Sequence, residues 1–355
     1  MASRDDERWM RATLRMARRN MGLTGTNPSV GTMIVADGTL VGCGVTAPGG
    51  RPHAEPIALA MAGKAARGAT AYVTLEPCAH HGATPPCAEA LIAAGVSRVV
   101  TAYVDPDRRV DGEGHAMLRA AGIEVEEGLC SAQAARDLAG YLMRQTKQRP
   151  HVTLKLAVSA DGYLGREGER VAITGDAVRD EVHAMRARSD AILVGAGTAR
   201  VDDPELTCRL PGLEDRSPTR FVLDARAELD PASKLARSGS TIVSASDLAP
   251  DLVRCGARHL RAETVDGRVA LPEMLNDMAA TGISTLMVEG GAAVARSFLH
   301  ADLVDRIVVF RSPDALDGGI VSPLASVPDG FVKLLEDRFG PDTRTIWERP
   351  CSPAS

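Results

Sequence analysis

Apolar and polar positions along the chain change period from segment to segment, and each period predicts an element. Over residues 8–20, Met10, Leu14 and Ala17 share one helical face, with Arg and Glu opposite. Thr26-Asn27-Pro28 breaks that helix. Residues 30–35 and 40–45 read as two strands turning at Asp37-Gly38. After Gly49-Gly50-Arg51-Pro52 comes a helix with His53 and Glu55 in its first turn, running to about Gly63. A strand over 71–75, a helix over 88–94 ended by Gly95, a strand over 98–103, a helix over 112–121 and a short strand over 123–125 follow. This β-β-α-β-α-β-α-β order predicts a layered α/β domain. One more helix, over 131–143, leads into the polar stretch 145–150, which marks a domain boundary.

The second half keeps an α/β rhythm. A strand over 151–159 precedes a glycine- and charge-rich loop over 161–170, then a helix over 176–187. Further strands are predicted over 191–194, 220–223, 240–243, 285–288 and 307–310, and helices over 272–280 and 292–299. Asp202-Asp203-Pro204 reads as a turn, and residues 349–355 as a loose tail. The expected domains are 1–146 and 150–350. At 355 residues the chain suits two domains, and 45% hydrophobic residues suffice for two cores, built largely without the 3% of aromatics.

Charge narrows the function. A net charge of −5 with no long basic run weighs against nucleic-acid binding. The charged start, Arg4-Asp5-Asp6-Glu7-Arg8, does not read as a signal peptide, and no apolar stretch is long enough for a membrane span. Seven cysteines show no disulfide framework, so a cytoplasmic setting is expected. Cys43, Cys130, Cys208, Cys255 and Cys351 read as structural.

The chemistry concentrates in His53-Ala54-Glu55, Glu76-Pro77-Cys78 and Pro85-Pro86-Cys87. One imidazole and two thiolates are a soft ligand set suited to zinc, and three protein ligands leave one tetrahedral position open. A glutamate two residues beyond the histidine diverges from it by roughly 200° on a helix, which suits a proton carrier better than a fourth ligand. H-x-E followed by P-C is the signature of zinc deaminases. Zinc in such a site makes hydroxide available near neutral pH, and Glu55 can move protons to a ring nitrogen and to departing ammonia. Cys78 is expected at the start of the element after the strand, where a helix N-terminus would favour its thiolate. A closed structural zinc site is the alternative, disfavoured because neither cysteine has a C-x-x-C mate. In the second half, Gly195-Ala196-Gly197 is only part of a nucleotide-binding fingerprint. Glu289-Gly290-Gly291 between strand and helix offers backbone N–H groups to a phosphate. Arg186 and Arg209 suit either a substrate phosphate or surface ion pairs, and Lys155 either a cleft or solvent.

These residues carry a resemblance. Residues 74–82, Thr-Leu-Glu-Pro-Cys-Ala-His-His-Gly, and Thr84-Pro85-Pro86-Cys87 resemble the bifunctional riboflavin-biosynthesis enzymes, in which a pyrimidine deaminase is fused to a reductase. The eight-residue spacer between the cysteines belongs to that family. Asn27-Pro28-Ser29-Val30-Gly31 is similar to its N-P-x-V-G segment, and residues 154–162, residues 186–195, Asp202-Asp203-Pro204, Val288-Glu289-Gly290-Gly291 and Gly318-Gly319 are similar to its reductase half, in the expected order. The resemblance implies a cytidine-deaminase-like three-layer domain followed by a dihydrofolate-reductase-like α/β domain. It implies zinc on His53, Cys78 and Cys87, Glu55 as catalytic proton shuttle, and pyrimidine contacts at Asn27 and His80. It implies NADPH near Ala157, Thr198, Asp202 and the run Gly291, Ala292, Ala293, Val294, Ala295, Arg296, Ser297. It implies reductase substrate near Lys155, Thr174, Arg186, Leu206, Arg209 and Glu289. Thr46 stands where many members have His, and the loop 165–172 lacks the usual Trp before Ile173-Thr174. The expected function is deamination of a phosphoribosylated diaminopyrimidine, then NADPH reduction of its ribosyl group to a ribityl chain, in a homo-oligomer with no nucleic-acid or membrane partner. The rivals are a nucleobase or tRNA-type zinc deaminase with an accessory domain, and a zinc-stabilised binding protein.

Overall fold

The computed structural model describes residues 3–350 except Ala83 and Ala325, so Cys351 lies outside the described residues. The chain divides into two compact units between Lys147 and Gln148.

The first unit is built on a five-stranded sheet in the order β2-β1-β3-β4-β5. Its strands are β1 (Gly31–Ala36), β2 (Thr39–Val45), β3 (Thr70–Val73), β4 (Arg98–Thr101) and β5 (Glu124–Glu126). Its helices are α1 (Arg4–Ala17), α2 (Ala54–Ala62), α3 (Cys87–Ala94), α4 (Glu113–Ala120), α5 (Ser131–Asp137) and α6 (Ala139–Lys147). Strands β1 and β2 form the expected hairpin: Asp37 and Gly38 both have positive φ, 48° and 74°, as a type I′ turn requires. Strand β1 pairs antiparallel with β3, and β3, β4 and β5 run parallel.

The position of α2 follows from small residues on both sides. Ala54, Ala58 and Ala62 recur every four residues along the helix. A Cβ at Gly42 would stand 2.2 Å from Ala58 O, and one at Gly44 2.3 Å from Ala54 O. The helix backbone therefore rests on β2 at a distance only glycine allows, which sets the place of the His53 and Glu55 end. The core behind it holds Ile34, Val73, Leu91, Val100 and Leu118. The single helix expected over 131–143 is two, separated at Leu138. Apolar periodicity runs through both and does not register a break of one residue. Helix α6 extends to Lys147, so part of the expected polar linker is helical.

The second unit carries a nine-stranded sheet in the order β10-β9-β8-β7-β13-β6-β14-β16-β15. Its elements are β6 (His151–Val158), α7 (Asp176–Arg186), β7 (Ala191–Gly195), α8 (Ala196–Asp202), β8 (Thr219–Leu223), α9 (Lys234–Arg237), β9 (Thr241–Ser244), α10 (Pro250–Arg254), β10 (Arg258–Arg261), β11 (Thr264–Val265), β12 (Arg268–Val269), α11 (Leu271–Ala280), β13 (Thr285–Val288), α12 (Ala292–His300), β14 (Arg306–Arg311), β15 (Val332–Phe339) and β16 (Asp342–Glu348). The strands β10, β9, β8, β7, β13, β6 and β14 pair in parallel, β16 is antiparallel to both β14 and β15, and β11 and β12 form a separate antiparallel pair. The central strands β7 and β13 are apolar and almost wholly buried, as a sheet covered on both faces demands, whereas β6 alternates buried residues with half-buried Thr153, Lys155 and Ala157. The closing hairpin of β15 and β16 escapes the apolar pattern because β15 is an edge strand, exposed along most of its length.

Candidate active site

Helix α2 begins at Ala54 with His53 as its N-cap, so the imidazole projects from the helix end. Cys87 is the first residue of α3, and Cys78 lies on the segment between β3 and α3. The expectation that Cys78 opens a helix is corrected: Cys87 does, and its backbone N–H donates to Cys78 Sγ at 3.3 Å. The helix end thus still favours a thiolate at Cys78, across a nine-residue gap. Hydrogen bonding to Cys87, opposed by burial and reinforced by His53, lowers the Cys78 thiol to about 4.

His53 Nδ1 stands 3.4 Å from Cys87 Sγ and 3.8 Å from Cys78 Sγ, and all three ligand atoms lie within 4.8 Å of one another. Zinc with usual bond lengths to nitrogen and sulfur in a tetrahedron separates the two by about 3.6 Å, so these residues fit the ion. Glu55 is not in the group. It is 3% exposed, and burial pushes its carboxyl up to about 7.

His53 and Cys78 border a cleft of about 540 Å³, with Glu55, Asn27 and His80 on its wall, and Cys87 is buried behind them. Asn27 donates from Nδ2 to Gly50 O at 3.1 Å, which pins the loop ahead of α2. His80 presents a buried Nδ1 with no hydrogen-bond partner among the described residues. His81 pairs with Glu89 at 3.0 Å. Sequence reasoning missed Glu76, Asp105, Arg109 and Tyr141, which line the same cleft. Glu76 was visible beside Cys78. The others sit on a loop and a later helix with no motif to mark them.

In the second unit, Glu289 follows β13 and gathers two cations. Arg186 donates to it from Nε at 3.1 Å and from Nη2 at 3.0 and 2.8 Å, and Lys155 Nζ stands at 3.4 Å. Burial raises the Glu289 carboxyl, but Lys155 and Arg186 outweigh it and hold it below the usual range. Of the two roles open to Arg186, the structure shows the ion pair: its fork faces Glu289, and Nη1 donates to Thr207 O at 3.1 Å. Arg209 is exposed and paired with Glu205 at 2.8 Å. Leu206 is buried, and Thr174 is half-buried just ahead of α7. Ala157 lies two residues beyond Lys155 on β6, half-buried like it.

Gly291 is the N-cap of α12, and its N–H donates to Thr198 Oγ1 at 3.1 Å. Asp202 ends α8, where burial raises its carboxyl. Gly291 has φ −68°, and a Cβ at Gly290 would meet Val294 at 2.8 Å, so close packing against α12 calls for glycine at position 290. Within the helix, Val294 and Ala295 are buried in the core, whereas Ala293 and Arg296 are exposed. Ala292 and Ser297 are half-buried.

Comparison with known proteins decides the family. The family model described as "RibD C-terminal domain" matches residues 150–333, and "Cytidine and deoxycytidylate deaminase zinc-binding region" matches residues 3–103. "Riboflavin biosynthesis protein RibD" of Aquifex aeolicus is 38% identical over 342 residues, covering 94% of this chain and 92% of the relative.

The chain belongs to the RibD family.

The RibD protein of Escherichia coli is also 38% identical, over 93% of each chain. Among solved structures, Acinetobacter baumannii RibD has a TM-score of 0.87 at 34% identity, covering 97% of this chain and 98% of that one. A diaminohydroxyphosphoribosylaminopyrimidine deaminase/5-amino-6-(5-phosphoribosylamino)uracil reductase from Thermotoga maritima has a TM-score of 0.87 at 32% identity, covering 98% and 99%. This RibD chain is a bifunctional enzyme, a zinc deaminase followed by an NADPH-dependent reductase. The match across both halves disfavours a tRNA-type deaminase with an unrelated accessory domain. Where many members carry His, Thr46 is buried and its Oγ1 accepts from Val30 N at 3.0 Å, so its hydroxyl is committed to the strand ends. No helix among the described residues is long and apolar enough to cross a membrane.

Proposed function

We propose that the first unit deaminates a phosphoribosylated diaminopyrimidine, with zinc held by His53, Cys78 and Cys87 and protons moved by Glu55. The second unit then reduces the ribosyl group of the product to the ribityl chain with NADPH. The observation that carries the reading is the convergence of one imidazole and two thiols beside a buried glutamate on the wall of a cleft. Bound zinc supplies Lewis acidity and a water of lowered pKa at the open position. Glu55, with its carboxyl near 7, holds or releases a proton at neutral pH and so can serve both the ring nitrogen and the leaving amine. Asn27 and His80 bind the pyrimidine, and the unpartnered His80 Nδ1 supports this. Ammonia release from the diaminopyrimidine, followed by NADPH oxidation on the deaminated product, tests the two steps separately. Ammonia release without any NADPH oxidation would overturn the second.

In the reductase, Lys155, Arg186 and Glu289 form the substrate side, with Thr174, Leu206 and Arg209 around it. Glu289 acts by holding both cations in place. NADPH lies against Ala157, Thr198, Asp202 and the start of α12, Gly291 to Ser297, where unpaired N–H groups favour a phosphate. Gly291→Asp tests this placement. The backbone tolerates it at φ −68°, but a Cβ there stands 3.0 Å from Thr198 Oγ1, and the carboxylate adds negative charge in the phosphate path. NADPH affinity should fall about tenfold or more in a fluorescence titration, with zinc content and deamination unchanged. Equal dissociation constants for wild type and variant would remove α12 from the cofactor site.

A cytoplasmic homo-oligomer completes the reading. Cys43, Cys78, Cys87, Cys130, Cys208 and Cys255 are all free thiols, which supports a reducing compartment. Val332, Leu334 and Leu335 are exposed on the edge strand β15, which supports self-association. Light scattering at increasing concentration tests it; a monomer throughout would overturn it.

A further inference from the structure

We propose that Glu76 is a positioning residue for deamination: its carboxylate sets one wall of the cleft and thereby how tightly the pyrimidine is held. The inference rests on the reading of this cleft as the deaminase site. Glu76 is 3% exposed and stands two residues before the ligand Cys78. Its Oε2 accepts from Asp105 N at 3.2 Å and Gly112 N at 3.1 Å, and its Oε1 accepts from His115 N at 3.3 Å. All three donors belong to residues 105–115, the segment that carries Asp105, Asp107 and Arg109 onto the cleft.

The carboxylate therefore does two things at once. It satisfies the open N–H groups at the start of α4, where Gly112 is the N-cap and makes no side-chain bond of its own. It also ties that start, and the loop before it, to the strand end that leads into the metal ligands. The fit is close on the next residue too: a Cβ at Gly114 would stand 2.0 Å from Pro77 O. Asp105 extends the clamp, accepting from Asp107 N at 2.9 Å and from the Tyr141 hydroxyl at 2.8 Å. A glutamine at position 76 has one acceptor oxygen, and its amide NH2 would face a backbone N–H.

The test is Glu76→Gln in the full-length, zinc-loaded enzyme, with Glu76→Asp as the conservative partner. Glu76→Gln should keep one zinc per chain and a kcat for ammonia release within about twofold, while KM rises about tenfold. The inhibition constant of the deaminated product against ammonia release, which reads the deaminase cleft alone, should rise in step. Glu76→Asp, which keeps the carboxylate, should recover part of the KM. A role confined to folding would lower the folded fraction and leave KM where it was, and that result overturns the proposal. Loss of zinc in Glu76→Gln also overturns it, because Glu76 would then serve the metal and not the wall. If wild type itself released no ammonia, the deaminase reading would fail first, whatever the variants did.

Discussion

Glu55→Gln is expected to keep stoichiometric zinc and to lose deamination by about 10²-fold or more. Glu55 stands outside the ligand group formed by His53, Cys78 and Cys87, so an amide in its place removes no bond to the ion. What the amide cannot do is take up and return a proton. The carboxyl is buried, and burial pushes it to about 7, so at neutral pH it is shared between the two states a carrier must visit. Glutamine fills the same volume, so the packing of α2 on β2 is kept. The measurement is metal analysis beside ammonia release on the same preparation. Zinc lost together with activity would make Glu55 a ligand and remove its role as carrier.

Cys78→Ser is expected to remove deamination altogether while NADPH-dependent reduction of the already deaminated substrate continues at the wild-type rate. Serine keeps an acceptor for the Cys87 N–H that now reaches Cys78 Sγ, so the loop between β3 and α3 keeps its backbone anchor. It does not keep a thiolate, the soft ligand that zinc takes from this site. The remaining ligands, His53 and Cys87, are too few for a stable site, so zinc should leave during purification. The second unit has its own sheet and core, with Leu154, Leu193, Leu286 and Phe298 inside it, and does not draw on the metal. Reduction lost in a variant with normal circular dichroism would mean that the two reactions are not independent.

Much of the fold could be read from periodicity because most elements bury one face or are buried whole. The helix of 4–17, the hairpin turning at Asp37-Gly38 and the apolar strands of 151–158, 191–195 and 285–288 all carry that mark. The exceptions share a cause. Helices α5 and α6 carry one apolar pattern across a break at Leu138, and β15 is an edge strand that buries no face along most of its length.

The sequence by itself pointed to the ligand chemistry: one histidine and two cysteines are soft donors suited to zinc, with a glutamate beside them to carry protons. It also determined the order of motifs by which both halves of the RibD chain are recognised. Only the tertiary structure decided what each polar group faces. Arg186 could have met a phosphate or a carboxylate, and packing brought Glu289 to it from 103 residues away. Glu76 read as a neighbour of Cys78, and the fold turned three backbone N–H groups of a later loop onto its carboxylate. The helix end beside Cys78 belongs to Cys87, nine residues on. In each case a side chain's periodicity records whether it is buried, while its partner is set by which distant segment the sheet order places beside it.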